Sequence, residues 1–344
     1  MSGFRREAAK GTYASPFSTL ICNLRRGNME YIESFKDGQH VISHYMCKDK
    51  QMMMARNGKN YYKLVLEDRT GSITGMVWEI NQQIGPFEKG DVIKVDGVVG
   101  NYQGVPQMSI TRIRRSEEFE YEVGDYFRTS REPADVLYQR VLGFMQQIRD
   151  MGLRRLVESF YMDDPAMVEQ LKKHPAAKSV HHNYLGGLLE HTASVTSIAA
   201  HLGTLYRGAN PDLMIAGALL HDIGKLREIE PLPLNEYSDE GQFLGHIPIG
   251  YMMVHEKGTM IGELDPSILM QLEHMILSHH GELEFGSPKV PSTLEAMILH
   301  LADLSDSKLK QVEDAIETDK GEGSWTAYHR ILGRMFYKPD EDKR

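Results

Sequence analysis

Cysteine is almost missing from this chain: 344 residues include only Cys22 and Cys47. A disulfide framework beyond one bridge is excluded, and a reducing cytoplasm is the expected compartment. No stretch approaches the roughly 20 apolar residues a membrane span needs. The first residues lack the apolar segment of a secretory signal. An excess of positive charge is missing too, since 39 Lys and Arg face 48 Asp and Glu for a net of −9. Taken as an average, that balance argues against a polyanionic partner.

The average hides a division. Between Lys36 and Arg115 the chain carries 12 Lys and Arg against 8 Asp and Glu, a net of +4. From Ser116 onward the count is 22 against 37, a net of −15. Such asymmetry points to a polyanion partner for the basic part. The length exceeds what one hydrophobic core usually sustains, so two domains are expected.

Residues 1–28 show no period and read as a flexible tail or a spurious extension. On the second reading, Arg25-Arg26-Gly27 is a translated ribosome-binding sequence ahead of a start at Met29. In 29–116 the segments Val41–Met46, Tyr61–Leu66, Ile73–Trp78, Val92–Val99 and Gln107–Ile113 are rich in strand-forming residues. Turn chemistry separates them at Arg56–Lys59, Asp68–Gly71, Lys89–Asp91 and Tyr102–Gly104. Five strands in so short a stretch predict a small Greek-key barrel of the OB type. Leu66–Trp78 resembles the second hairpin of nucleic-acid-binding OB-folds.

Residues 117–132 are acidic and aromatic and read as a linker. A domain over 133–338 is helical in pattern, with Pro133 at a helix start and further helices at about 187–206, 211–221, 247–258, 265–280 and 292–316. Residues 339–344 are a tail. The fold class is thus a two-domain β plus all-α chain.

The helical part carries the chemistry. Of fifteen histidines, His191, His221, His246, His279 and His280 sit in distinctive contexts, together with Asp222 and Asp303. Imidazole and carboxylate together suit Mn, Fe, Co, Ni or Zn. Seven such groups are too many for one tetrahedral ion and about right for two that share a carboxylate. Paired ions about 3.5–4 Å apart clamp a phosphate and activate the water between them.

The run Ala216-Gly-Ala-Leu-Leu-His221-Asp222-Ile-Gly-Lys225 resembles the defining helix of the HD phosphohydrolase superfamily. The run from His182 through Tyr184 to His191 resembles the helix of that family's first ligand, with Asp303 as the distant one. The resemblance implies one ion held by His191, His221, Asp222 and Asp303. It further implies a second ion, bridged by Asp222, at His246, His279 and His280. An OB-type module ahead of a two-metal HD domain resembles the YhaM-type 3′-to-5′ exoribonucleases of Gram-positive bacteria, over essentially Met29 to the end.

That resemblance implies an enzyme that hydrolyses single-stranded RNA, with DNA as a further substrate. The implied means is a hydroxide activated by two divalent transition-metal ions, Mn first among them. Lys225 is expected to reach the phosphate. His182 is expected to bind substrate or protonate the leaving 3′ oxygen, and Tyr184 to contact substrate. On the barrel, Tyr61, Trp78 and Tyr102 are candidates for base stacking, with Lys63 for phosphate. Strand alternation sends Tyr61 and Tyr62 to opposite faces, so at least one of them is expected in the core. A homo-oligomer is expected, and no membrane partner.

Lone histidines are usually packing or surface residues, and His181, His201, His255, His274 and His300 have no motif to lift them above that. Met52–Met54 reads as packing or loop. A nucleotide phosphohydrolase or cyclic-nucleotide phosphodiesterase uses the same HD chemistry, and a binding protein with a silent HD domain is the third reading. Deleting residues 29–116 separates the first two: polymer degradation collapses while cleavage of a small generic phosphodiester survives. Equal loss of both activities contradicts that division of labour.

Overall fold

A computed structural model describes residues 29–178, 182–232 and 235–339, apart from the side chain of Glu118. The expectations for 1–28, Cys22, His181 and 340–344 fall outside the described residues. Two compact units meet in sequence at Phe127 and Arg128.

The first unit is a closed five-stranded barrel: β1 (His40–Met54), β2 (Asn60–Asp68), β3 (Gly71–Val77), β4 (Val92–Tyr102) and β5 (Val105–Arg115). β1 serves two neighbours. Its first half pairs with β4 and its second half with β2, and the register shifts between Cys47 and Asp49 where it passes from one to the other. A bulge there bends the strand, which closure needs. The parallel pairing of Thr74–Met76 with Gln107–Ser109 seals the cylinder. Inside lie Val41, Tyr45, Leu64, Leu66, Ile93, Val95 and Met108. The turn between β2 and β3 is organised by the buried Asp68, whose carboxylate accepts from the Ile32 and Thr70 amides and the Thr70 hydroxyl.

The structure corrects two expectations. Met52–Met54 is neither packing nor loop, because β1 continues through it and leaves all three side chains exposed. The stretch 117–132 is not one free linker. Tyr126 is buried against Met46 and Val92, so the acidic segment up to Phe127 lies on the barrel.

The second unit is helical: α1 (Ala134–Met145), α2 (Met151–Tyr161), α3 (Pro165–Lys173), α4 (Gly187–Leu205), α5 (Pro211–Leu220), α6 (Lys225–Glu228), α7 (Asp239–Leu244), α8 (His246–Thr259), α9 (Pro266–Ser278) and α10 (Leu294–Thr318). The sequence pattern missed α2, α3, α6 and α7. Among the described residues no helix is long and apolar enough to cross a membrane.

At the centre runs α5, begun by the Asn210 cap with Pro211 in its first turn and buried from Leu213 to Leu220. A helix apolar all round belongs in the middle of a core. It packs against α4, α9 and α10, so that its end projects His221 and Asp222 into the interior. Gly224 then lets α8 come close: a Cβ there would lie 2.1 Å from the His246 carbonyl oxygen and 2.5 Å from the Gly250 nitrogen.

This contact can be tested. Gly224→Ala forces α8 outward, and a loss of about 1–3 kcal/mol is expected from overpacking alone. Thermal unfolding reads it, and an unchanged midpoint contradicts the close approach.

A candidate metal centre at Asp222

The seven groups singled out by pattern converge. Asp222 sits in the middle, buried, with its two oxygens facing different histidines. Oδ2 lies 3.3 Å from His191 Nε2 and 3.4 Å from His221 Nε2. Oδ1 lies 3.5 Å from His246 Nε2 and 3.6 Å from His279 Nε2. Asp303 Oδ1 joins the first side at 3.3 Å from His191 Nε2. His280 joins the second, within reach of one ion together with His246 and His279. Donors that share an ion at about 2.0–2.2 Å in tetrahedral array stand about 3.3 Å from each other. The spacings therefore suit ligation better than direct hydrogen bonding.

The orientation of each ring supports the same reading. His221 and His279 follow the last residues of α5 and α9, and each donates Nδ1–H to a carbonyl three residues back, at Ala218 (2.8 Å) and Ile276 (2.7 Å). These carbonyls belong to the set that a helix end leaves without partners. His280 Nδ1 donates to the Phe285 carbonyl at 2.9 Å. His191 Nδ1 meets Asp306 at 2.7 Å and His246 Nδ1 meets Glu228 at 2.9 Å. With Nδ1 engaged outward, Nε2 faces inward, the usual orientation of a metal-ligating imidazole. His246 Nε2 and His279 Nε2 are buried and have no hydrogen-bond partner. Unsatisfied buried nitrogens cost free energy unless something else occupies them. A cation does.

Electrostatics point the same way. Burial opposes charge on Asp222, but Lys225, His221 and His191 hold its carboxyl well below the usual range. Burial likewise opposes the charge on Asp303 and Asp306, and neighbouring imidazoles keep both ionised. Burial pushes His279 and His280 down, outweighing the pull of Asp222 on His279, which favours the neutral rings. His191 is the exception: burial works against its proton, yet Asp222, Asp303 and Asp306 hold it well above the ordinary imidazole value. Lys225 is buried with its ammonium 2.6 Å from Asp222 Oδ2, which keeps it charged against the cost of burial.

Other expected contacts fall elsewhere. His182 does not face the cleft. It is 2% exposed, with Nε2 2.9 Å from Asp306 and Nδ1 2.9 Å from the Tyr184 hydroxyl. Tyr184, 4% exposed, donates to Glu190 and lies in the same buried layer. Both residues are near the motif in sequence but behind His191 in depth, so neither is placed to touch substrate. On the barrel, Tyr61 and Trp78 stand together with ring centroids 5.1 Å apart, and Trp78 is 52% exposed. Lys63 points outward, Tyr102 is exposed, and Tyr62 packs inward against the buried Phe87. Asp306 and Glu228 were missed. The first had a signal in its spacing, since Asp303 and Asp306 are three apart on one helix face. His300, expected as packing or surface, lines the same cleft as Asp222.

A barrel joined to a helical domain with this centre defines a class, and comparison with known proteins agrees. The family model for an OB-fold nucleic acid binding domain matches residues 46–115, and that for the HD domain matches 188–307. The chain is 31% identical over 310 residues to the 3′-5′ exoribonuclease YhaM of Geobacillus sp. (strain WCH70), covering 90% of this chain and 94% of that protein. With the same-named protein of Bacillus subtilis (strain 168) it shares 31% over 88% of this chain and 96% of the other. With that of Oceanobacillus iheyensis it shares 32%, over 88% and 95%. The chain belongs to the YhaM exoribonuclease family.

A ligand nitrogen has to be free of its proton, and the carboxylates of Asp222, Asp303 and Asp306 favour the protonated His191 ring when no cation is bound. Binding of Mn²⁺ at pH 7 is therefore expected to release a proton and to be weaker at pH 6 than at pH 8. Calorimetric heats in two buffers of different ionisation enthalpy give the proton count; heats that do not depend on the buffer contradict it. Asp306→Asn is expected to weaken Mn²⁺ binding about 10–100-fold, because it loosens the ring it orients.

Proposed function

We propose that the protein hydrolyses single-stranded RNA from its 3′ end, with single-stranded DNA as a further substrate, at two divalent ions held on the two sides of Asp222. His191, His221 and Asp303 complete one side, and His246, His279 and His280 the other. Mn²⁺ is the first choice, with Co, Fe, Ni and Zn open to the same donor set. The observation that carries this reading is the division of Asp222 between two groups of inward-facing Nε2 atoms. When bound, such a pair of ions supplies Lewis acidity toward a phosphate and a water of lowered pKa.

The chain's own residues do the rest. Lys225, kept charged and lining the cleft, neutralises a phosphate oxygen. His182, Tyr184 and Asp306 orient His191 and act through it. The Tyr61–Trp78 pair offers an exposed stacking surface to bases, with Lys63 beside it in sequence for the backbone. A barrel of this kind favours a polymer over a mononucleotide substrate. Two buried, partnerless imidazole nitrogens weigh against a silent HD domain. We place the activity in the cytoplasm, in a homo-oligomer.

The test is cleavage of 5′-labelled single-stranded RNA in Mn²⁺ beside an Asp222→Ala variant and a chelated control. The reading expects a ladder shortening from the 3′ end, reduced at least about a thousandfold in both controls, in line with the several kcal/mol that metal ions supply. RNA that is bound and left intact moves the assignment to a binding protein or a hydrolase of small nucleotides.

A further inference from the structure

The centre opens into a cavity of about 380 Å³, inside the range of small-ligand sites. Asp222, Lys225, His246, His280 and Asp303 form one part of its wall. The remaining wall has a different chemistry, which no motif announced. Tyr237 and Phe285 line it, and the two residues are 41% and 60% exposed. Lys178 and Lys308 line it as well, and neither has a carboxylate partner among the described residues. The Lys178 ammonium lies 5.3 Å from the centre of the Tyr237 ring. Two helical turns beyond Asp303, Gln311 is 7% exposed, donates its amide to the Ser307 carbonyl at 3.1 Å, and leaves its side-chain oxygen without a partner.

Exposed aromatic residues and two lysines beside a phosphate-directed centre are the parts needed to hold one nucleotide. We propose that this cavity is a terminal-nucleotide pocket, in which Tyr237 and Phe285 offer their faces to the base and Lys178 and Lys308 offer charge to the phosphate. Ring faces accept any base, because every base has a π-face. A pocket built this way holds the end of a strand whatever its sequence, as an enzyme that removes successive nucleotides requires. The inference rests on the exonuclease reading for the identity of its occupant.

Binding of the expected product, a 5′-mononucleotide, tests it without any cleavage. Adenosine and uridine 5′-monophosphates, titrated calorimetrically into the Mn²⁺ protein, should bind with similar affinity. Tyr237→Ala combined with Phe285→Ala should weaken both about tenfold to a hundredfold. Tyr237→Phe should retain wild-type affinity, and ribose 5-phosphate, which has no base, should not distinguish the double variant from wild type. Thermal unfolding shows whether the double variant is folded; should it not be, each single variant carries the same comparison with a smaller loss. Absence of mononucleotide binding to the wild type, unchanged affinity in the variants, or an equal loss for ribose 5-phosphate overturns the pocket. A wild type that binds mononucleotides but leaves RNA intact would instead sink the exonuclease reading and keep the pocket.

Discussion

Each imidazole at the centre commits its Nδ1 to a fixed acceptor, and that constraint organises the whole site. Once Ala218, Ile276 and Phe285 supply carbonyls and Asp306 and Glu228 supply carboxylates, the Nε2 atoms have one direction left. They converge on the two oxygens of Asp222. A single buried carboxylate thus faces both groups of donors, and its ionisation is secured by the cations and imidazoles around it. Without a bound cation, two of the inward nitrogens are unsatisfied. The protein carries this cost because the surrounding core over-determines the ring positions.

That over-determination comes from ordinary packing. α5 is apolar on all sides and buried along its length, so its end is held wherever its neighbours place it. α4, α9 and α10 pack around it and bring His191, His279 and Asp303 to the same point. Gly224 admits α8 at a distance no side chain would permit, and this delivers His246. The acidic surplus of the second unit is partly engaged on its surface. Arg131 bridges Glu313 and Glu317, and Arg227 holds Glu240. The carboxylates that matter to the chemistry are instead the buried ones, where a divalent ion inverts the local potential.

Much of this was legible in the chain, for identifiable reasons. Alternating strands with turn residues between them specified the barrel, and the His-Asp doublet with its outlying histidines marked residues that the fold gathers around Asp222. The features that escaped lacked a local signature. Tyr126 docks on the barrel from within an acidic stretch whose composition suggests a linker. Glu228 is one among 48 acidic residues and only depth distinguishes it, while Asp306 is marked only by its three-residue spacing from Asp303. His182 and Tyr184 were misplaced for the converse reason: adjacency to a motif says nothing about which side of a ligand a residue occupies. Tyr237 and Phe285 reach the cleft from a bridge segment and a single 3₁₀ turn, and no periodicity predicts that.

The central claim is that Asp222 stands between two ions. Anomalous diffraction from crystals of the protein grown with Mn²⁺ tests it most directly. The account predicts two peaks about 3.5–4 Å apart, one on each side of the Asp222 carboxylate. One should contact His191, His221 and Asp303, and the other His246, His279 and His280. A single ion, or ions that do not touch Asp222, would contradict it.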